Sequence, residues 1–181
     1  FEGNATYPID LYANYAHSVG SGNTFATGPG ILVNGDNMDQ ADVTWLKQEV
    51  PYVLDGDVRL GSTSAAKLTI EAGATVTAND QGRFSGANST INFQTGSSYS
   101  STNGTEVSRG TVNFLNGSTV DLGSDLVFTA LTTSNNGTLN LSSGSNHTVA
   151  TYTQSTSSTS SNNYTSTLTG TDDLTVTGLL D

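Results

Sequence analysis

Leu68-Thr-Ile-Glu-Ala-Gly-Ala-Thr-Val76 is a phrase that the chain repeats three more times. The copies read Ile91-Asn-Phe-Gln-Thr-Gly-Ser-Ser-Tyr99, Val112-Asn-Phe-Leu-Asn-Gly-Ser-Thr-Val120 and Leu139-Asn-Leu-Ser-Ser-Gly-Ser145, the last closing loosely near Val149. Each runs apolar–polar–apolar, then two residues, a glycine, a small or polar pair and usually another apolar residue. The glycines Gly73, Gly96, Gly117 and Gly144 stand 23, 21 and 27 positions apart. Short alternating strands with a period in the twenties, broken by Gly and Asn, signal stacked coils. Aligning the copies predicts inward columns: Leu68, Ile91, Val112, Leu139; then Ile70, Phe93, Phe114, Leu141; then Val76, Tyr99, Val120, Val149. Alternation sends Thr69, Asn92, Asn113 and Asn140 outward, or into a polar ladder at a turn.

Val43 to Leu60 reads as the entry to the repeat, with short strands at Thr44-Trp45-Leu46, Tyr52-Val53-Leu54 and Val58-Arg59-Leu60. Pro51 and Asp55-Gly56 separate them. The run Trp45…Val50-Pro-Tyr-Val-Leu-Asp-Gly-Asp-Val-Arg-Leu60…Lys67-Leu-Thr-Ile-Glu-Ala-Gly73 resembles the opening of right-handed parallel β-helix regions in secreted bacterial surface proteins. The likeness covers residues 44–80, and the later copies are similar in pattern to passenger and adhesin repeats. It implies a fold and an extracellular, cell-surface or secreted location, and no activity.

Working outward, residues 1–43 lack the repeat. Tyr7, Ile9 and Leu11 share one face at period two, and Pro8 among them marks an edge strand. Ile31-Leu-Val33 reads as a strand stopped by the turn dipeptide Asn34-Gly35, and Asp36 to Asp42 as one turn of helix. The chain thus divides into an N-terminal extension or cap (1–43) and an all-β parallel β-solenoid (44–181) of about five to six rungs. Gly82-Arg-Phe84, Val107, Leu126-Val-Phe128 and Val149-Ala-Thr-Tyr152 supply a second face of each coil. Ser155 to Ser166 reads as a loop bulging from one coil. Leu168 to Asp181 is another rung, ending on an apolar pair without a polar cap. Repeats need caps to be soluble alone, so further repeats of a longer chain, or another molecule, are expected to cover this end. The start at Phe1, without Met or a basic leader, reads as a processed or trimmed product.

Composition narrows the function classes. Hydrophobic residues make up 34%, below the roughly 45–50% of globular chains, a share that also counts glycine, as a narrow apolar seam covered by neighbouring rungs allows. The formal charge is -11, with five basic residues. Nucleic acid would be repelled. There is no cysteine, hence no disulfide framework or thiolate chemistry. No apolar run approaches the roughly 20 residues of a membrane span.

Residues able to carry chemistry are sparse. His17 and His147 sit far apart in polar surroundings and read as surface histidines. Asp121 and Asp125 form the nearest carboxylate pair on a rung, a pattern that can serve glycoside hydrolysis, but aromatic platforms and basic partners are missing beside it. No nucleophile elbow, phosphate loop or dinucleotide fingerprint occurs, so no enzyme and no cofactor is expected. Asp36, Asp39 and Asp42 offer oxygen ligands of the kind calcium takes, at a spacing that does not match an EF-hand. Thr75-Val-Thr77, Thr151-Tyr-Thr153, Thr167-Leu-Thr169 and Thr175-Val-Thr177 raise an ice-binding face, although they do not fall at one rung position. N-glycosylation acceptors are Asn4, Asn88, Asn103, Asn116, Asn136, Asn140, Asn146 and Asn163, a number only mildly above what so much Ser, Thr and Asn gives by chance.

The expectation is a non-enzymatic structural module of a surface fibre, filament or adhesin. A solenoid ends in unpaired strand edges that template further strands. Tyr7, Ile9 and Leu11 at one end, with Leu174, Val176 and Leu179 at the other, are the candidate assembly residues. The N-terminal strand closes its own coil or reaches a neighbour by strand addition, giving a head-to-tail homopolymer. The alternative is a glycan-binding module using Tyr99, Tyr152 and Tyr164.

Overall fold

The computed structural model describes residues 6–25, 28–40, 42–60, 66–80, 82–86, 89–103, 105–107, 110–115, 118–121, 125–130, 137–141, 146–149, 151–156, 167–170 and 175–176. A first strand, β1 (Ile9–Tyr12), leads into a 3-10 helix (Ala13–Ser18), then β2 (Ile31–Met38), β3 (Asp42–Trp45) and β4 (Tyr52–Leu60). From there strands come in threes. They are β5 (Lys67–Ile70), β6 (Thr75–Ala78) and β7 (Gly82–Ser85); β8 (Thr90–Phe93), β9 (Ser98–Ser101) and β10 (Thr105–Val107). Next are β11 (Gly110–Phe114), β12 (Thr119–Asp121) and β13 (Asp125–Ala130); β14 (Gly137–Leu141), β15 (Asn146–Val149) and β16 (Thr151–Thr156). The described strands end with β17 (Thr167–Gly170) and β18 (Thr175–Val176).

Each strand pairs in parallel with its counterpart one coil on, making a parallel β-solenoid of about four complete turns with a partial turn at each end. One sheet runs β3-β5-β8-β11-β14-β17. The other is shared by two ladders, β6-β9-β12-β15-β18 and β7-β10-β13-β16, joined through β4. Tyr52–Leu54 pairs with β6 and Asp57–Arg59 with β7, so one long strand becomes two shorter ones. On its other side β4 pairs with β2, and β2 with β1.

The glycine of the repeated phrase has a backbone reason. After β5 and β8 the chain turns with Ala74 N–H donating to Glu71 O and Ser97 N–H to Gln94 O, both at 3.0 Å. Gly73 and Gly96 sit inside those turns at φ +75° and +76°, a left-handed conformation that a Cβ disfavours. Each turn is also bonded to the one below: Gln94 N–H reaches Ile70 O at 3.0 Å and Leu115 N–H reaches Phe93 O at 2.9 Å.

The first two inward columns form as expected, and both begin one rung earlier. Val43, Leu68, Ile91, Val112 and Leu139 align, as do Trp45, Ile70, Phe93, Phe114 and Leu141. Those up to Val112 and Phe114 are buried, each apolar side chain contributing roughly 1.5–3 kcal/mol. In the third column Tyr52, Val76, Tyr99 and Val120 continue to His147, not Val149, which pairs with Val176. Four residues separate the two strands in every rung, between Phe114 and Thr119 as between Leu141 and Asn146, so the register is kept. The expected column missed its last member because that position falls on the polar His147, expected at the surface, and Val149 is the next apolar residue.

Two local expectations fail for one reason. Asn34-Gly35 does not end its strand; β2 runs through it with a register shift between Asn34 and Asp36. Asp36 to Met38 are therefore strand, and the turn of helix expected over 36–42 is absent among the described residues. Nor does Asp55-Gly56 divide β4. The two dipeptides lie against each other, and a Cβ on Gly35 would meet Asp57 N at 2.6 Å. An x-Gly pair stacked on an x-Gly pair makes a bulge where an isolated one makes a turn.

Candidate functional site

A parallel stack presents strands at each end that are paired on one side only. Among the described residues these are β1 and β3 at the N-terminal end, and β16, β17 and β18 at the other. Such edges accept further strands unless covered.

The N-terminal end is covered in part. The 3-10 helix lays Ala13 and Ala16, both fully buried, on the core, followed by Val19 and Phe25. Residues three apart eclipse in a 3-10 helix, so Ala13-Asn-Tyr-Ala16 was the sequence signal for this lid. Gln48 Nε2 donates to Gly20 O at 3.1 Å, and Phe25 N–H to Glu49 Oε2 at 3.3 Å, tying the lid to the segment after β3. Its outer side carries Tyr12 and Tyr15, 57% and 56% exposed. His17 lies in the same helix, half-buried.

The candidate assembly residues divide. Ile9 and Leu11 lie in β1, half-buried against the core, where Ile9 pairs with Ile31 and Leu11 with Val33. Within the chain this strand closes its own coil. Tyr7 precedes β1, and its hydroxyl accepts from Asn79 Nδ2 at 3.1 Å. Val176 lies in the terminal strand β18; Leu174 and Leu179 lie outside the described residues.

The outer faces are polar and regular. On the sheet containing β8, one column holds Asp42, Lys67, Thr90, Thr111, Thr138 and Thr167, and its neighbour Thr44, Thr69, Asn92, Asn113, Asn140 and Thr169. Asn113 Nδ2 donates to Asn92 Oδ1 at 2.7 Å, so the expected polar ladder exists. On the β6 face Ser98 Oγ donates to Thr75 Oγ1 at 3.0 Å. The Thr-x-Thr pairs noted in the sequence start in β6, β16, β17 and β18 and so scatter over three ladders. The Asn column was expected from the aligned copies, whereas the Thr column beside it, one residue before each copy, was missed.

Other candidates gather little. Asp36 lies in β2, Asp42 opens β3, and among the described residues no group of three or more acidic, His or Cys side chains is placed to hold a metal ion. Asp121 ends β12 and Asp125 opens β13. A notch of about 330 Å³ lies over the paired bulges, lined by Asn34, Asp55, Asp57 and Arg59. Tyr99 is 1% exposed, in ring contact with Phe84, Phe93 and Phe114 and hydrogen-bonded to Thr105 at 3.0 Å, so it cannot contact a glycan. Tyr152 lies in β16; Tyr164 is outside the described residues. Of the glycosylation acceptors, Asn103 is exposed after β9, with its Nδ2 donating to Asp80 Oδ1 at 2.9 Å. Asn140 lies in β14 and Asn146 opens β15, whereas Asn4, Asn88, Asn116, Asn136 and Asn163 lie outside the described residues. Among the described residues no helix is long and apolar enough to cross a membrane.

No known protein family, curated protein or solved structure matches the chain.

Proposed function

We propose that this chain is a non-enzymatic structural module of an extracellular fibre, of the kind carried on bacterial surfaces, which polymerises head to tail through its solenoid ends. The supporting observation is that every described pairing is parallel and the terminal strands are bonded on one side only. A parallel ladder has a direction, so the C-terminal strands of one copy can add to the N-terminal edge of the next and leave the same edge free again. A contact of that kind does not close, and yields an open fibre. The regular hydroxylated exterior and the acidic charge suit a solvated polymer.

Electron microscopy of the purified protein tests this reading: fibres of uniform width are expected, and separate particles at every concentration would overturn it. Deleting residues 1–30, which removes β1 and the lid, is expected to abolish the fibres; unchanged fibres would rule out this end as the acceptor.

A second reading, a glycan-binding adhesin module, now rests on Tyr12 and Tyr15, the large hydrophobics that stand exposed among the described residues. Glycan binding by the native protein that Tyr15→Ala removes would favour it.

A further inference from the structure

Beyond its ends, the solenoid carries one face that differs from the rest of the molecule in charge. The β8 face is uncharged from Thr90 onward: β8, β11, β14 and β17 contain no acidic or basic residue, in a chain of net charge -11. The ladders of the other sheet place Asp57, Arg83 and Asp121 on their strands. Two such acidic molecules repel over most of their surfaces, and the Thr/Asn columns are where they can meet at least electrostatic cost. Hydroxyls and amides both donate and accept, so a face made of them is complementary to itself. Its pairings also run from β3 to β17 without a register shift, unlike the bulged β2–β4 pairing.

We infer that this face is the lateral contact between two filaments, with a second copy of the chain as its occupant. Spacing favours that occupant: the rows repeat at the strand separation of about 4.8 Å, and another solenoid of this chain has the same repeat. Stacked Asn columns meeting across paired sheets are a known mode of sheet association. Size settles when the contact forms. Its four uncharged strands, about 4.8 Å apart and four residues wide, cover on the order of 200–250 Å², well under the roughly 800 Å² per partner of a stable complex. Single subunits should therefore stay apart, while a polymer repeating the contact at every subunit gains by multivalency. The inference rests on the filament reading.

Microscopy of wild-type, Thr111→Glu, Thr111→Ser and Ser98→Glu proteins, each checked for an unchanged melt, tests it. Wild-type, Thr111→Ser and Ser98→Glu fibres are expected side by side, and Thr111→Glu fibres single. Single wild-type fibres, paired Thr111→Glu fibres, or equal separation by Ser98→Glu would overturn the inference. Binding of a neutral polysaccharide that Thr111→Glu blocks, with wild-type fibres single, would make a glycan the occupant instead. If no fibres form, the filament reading itself fails. Sedimentation at millimolar protein then decides the face: weak dimerisation lost in Thr111→Glu sustains it, and none overturns it.

Discussion

The rings of Phe93 and Phe114 stack one turn apart, centroids 4.5 Å from each other and planes inclined by 22°. Phe84 and Tyr99 meet Phe93 edge-on at 6.3 and 5.6 Å, closing an aromatic knot across the coil. Phe93→Ala is expected to cost about 3–5 kcal/mol. With Phe114→Ala in a double-mutant cycle, the pair should show coupling of about 0.5–1.5 kcal/mol beyond area burial. Urea unfolding measures both, and additive losses would mean the rings merely fill space.

Gly82 opens β7 directly against the Tyr99 hydroxyl, where an added Cβ would overlap it. Gly82→Ala should therefore displace Tyr99 from its bond to Thr105 and cost about 1–3 kcal/mol by overpacking. Tyr99→Phe alone forfeits that bond, about 1 kcal/mol. Combining the two is expected to cost less than their sum, since the ring without its oxygen leaves room. A double mutant at or beyond additivity would show that backbone, and not the hydroxyl, excludes a side chain at Gly82.

Tyr52 is fully buried, its hydroxyl donating to Leu46 O at 2.7 Å beneath Trp45. Burial pushes the phenol up to about 12; a Gln48 hydrogen bond pulls it partly back, and the negative charge of Glu71 adds to the rise. The folded state thus holds this proton more tightly than the unfolded state, whose phenol titrates near 10.0. The sign follows: the stabilisation is complete below pH 10 and is lost as pH climbs through about 12. It amounts to about 2–3 kcal/mol. Unfolding free energies measured across this range should fall more steeply in wild type than in Tyr52→Phe; parallel curves would contradict the assignment.

How far the sequence could be read depended on whether information was local or lay in the stacking. Leu68, Ile70, Ile91 and Phe93 were legible as columns because alternation and the glycine turn are both local signals. The strands around Phe84 and Phe128 were legible for the same reason. Asn34-Gly35 and Asp55-Gly56 were misread because each dipeptide alone specifies a turn, and only their mutual contact makes a bulge. His147 took the place of Val149 because the eight-residue step from Val112 to Val120 carries from Leu139 to His147, a polar residue that an apolar pattern passes over. Tyr99 could be read as core or as surface, and its Thr105 partner decides for core. Of the Thr/Asn face, the column of Thr69, Asn92, Asn113 and Asn140 was legible by alternation, whereas Thr90, Thr111 and Thr138 escaped notice because each stands one residue before the repeated phrase.

Trp45 is the chain's single indole, and it lies on β3 in the first partial turn, 5.2 Å from Tyr52. In a stack where each coil touches only its neighbours, melting can begin at one extremity and travel. Fluorescence therefore watches the N-terminal extremity alone, while circular dichroism averages every coil. A dichroism midpoint below the emission midpoint would reveal fraying from the far extremity, and coincident midpoints would mean that all coils let go together.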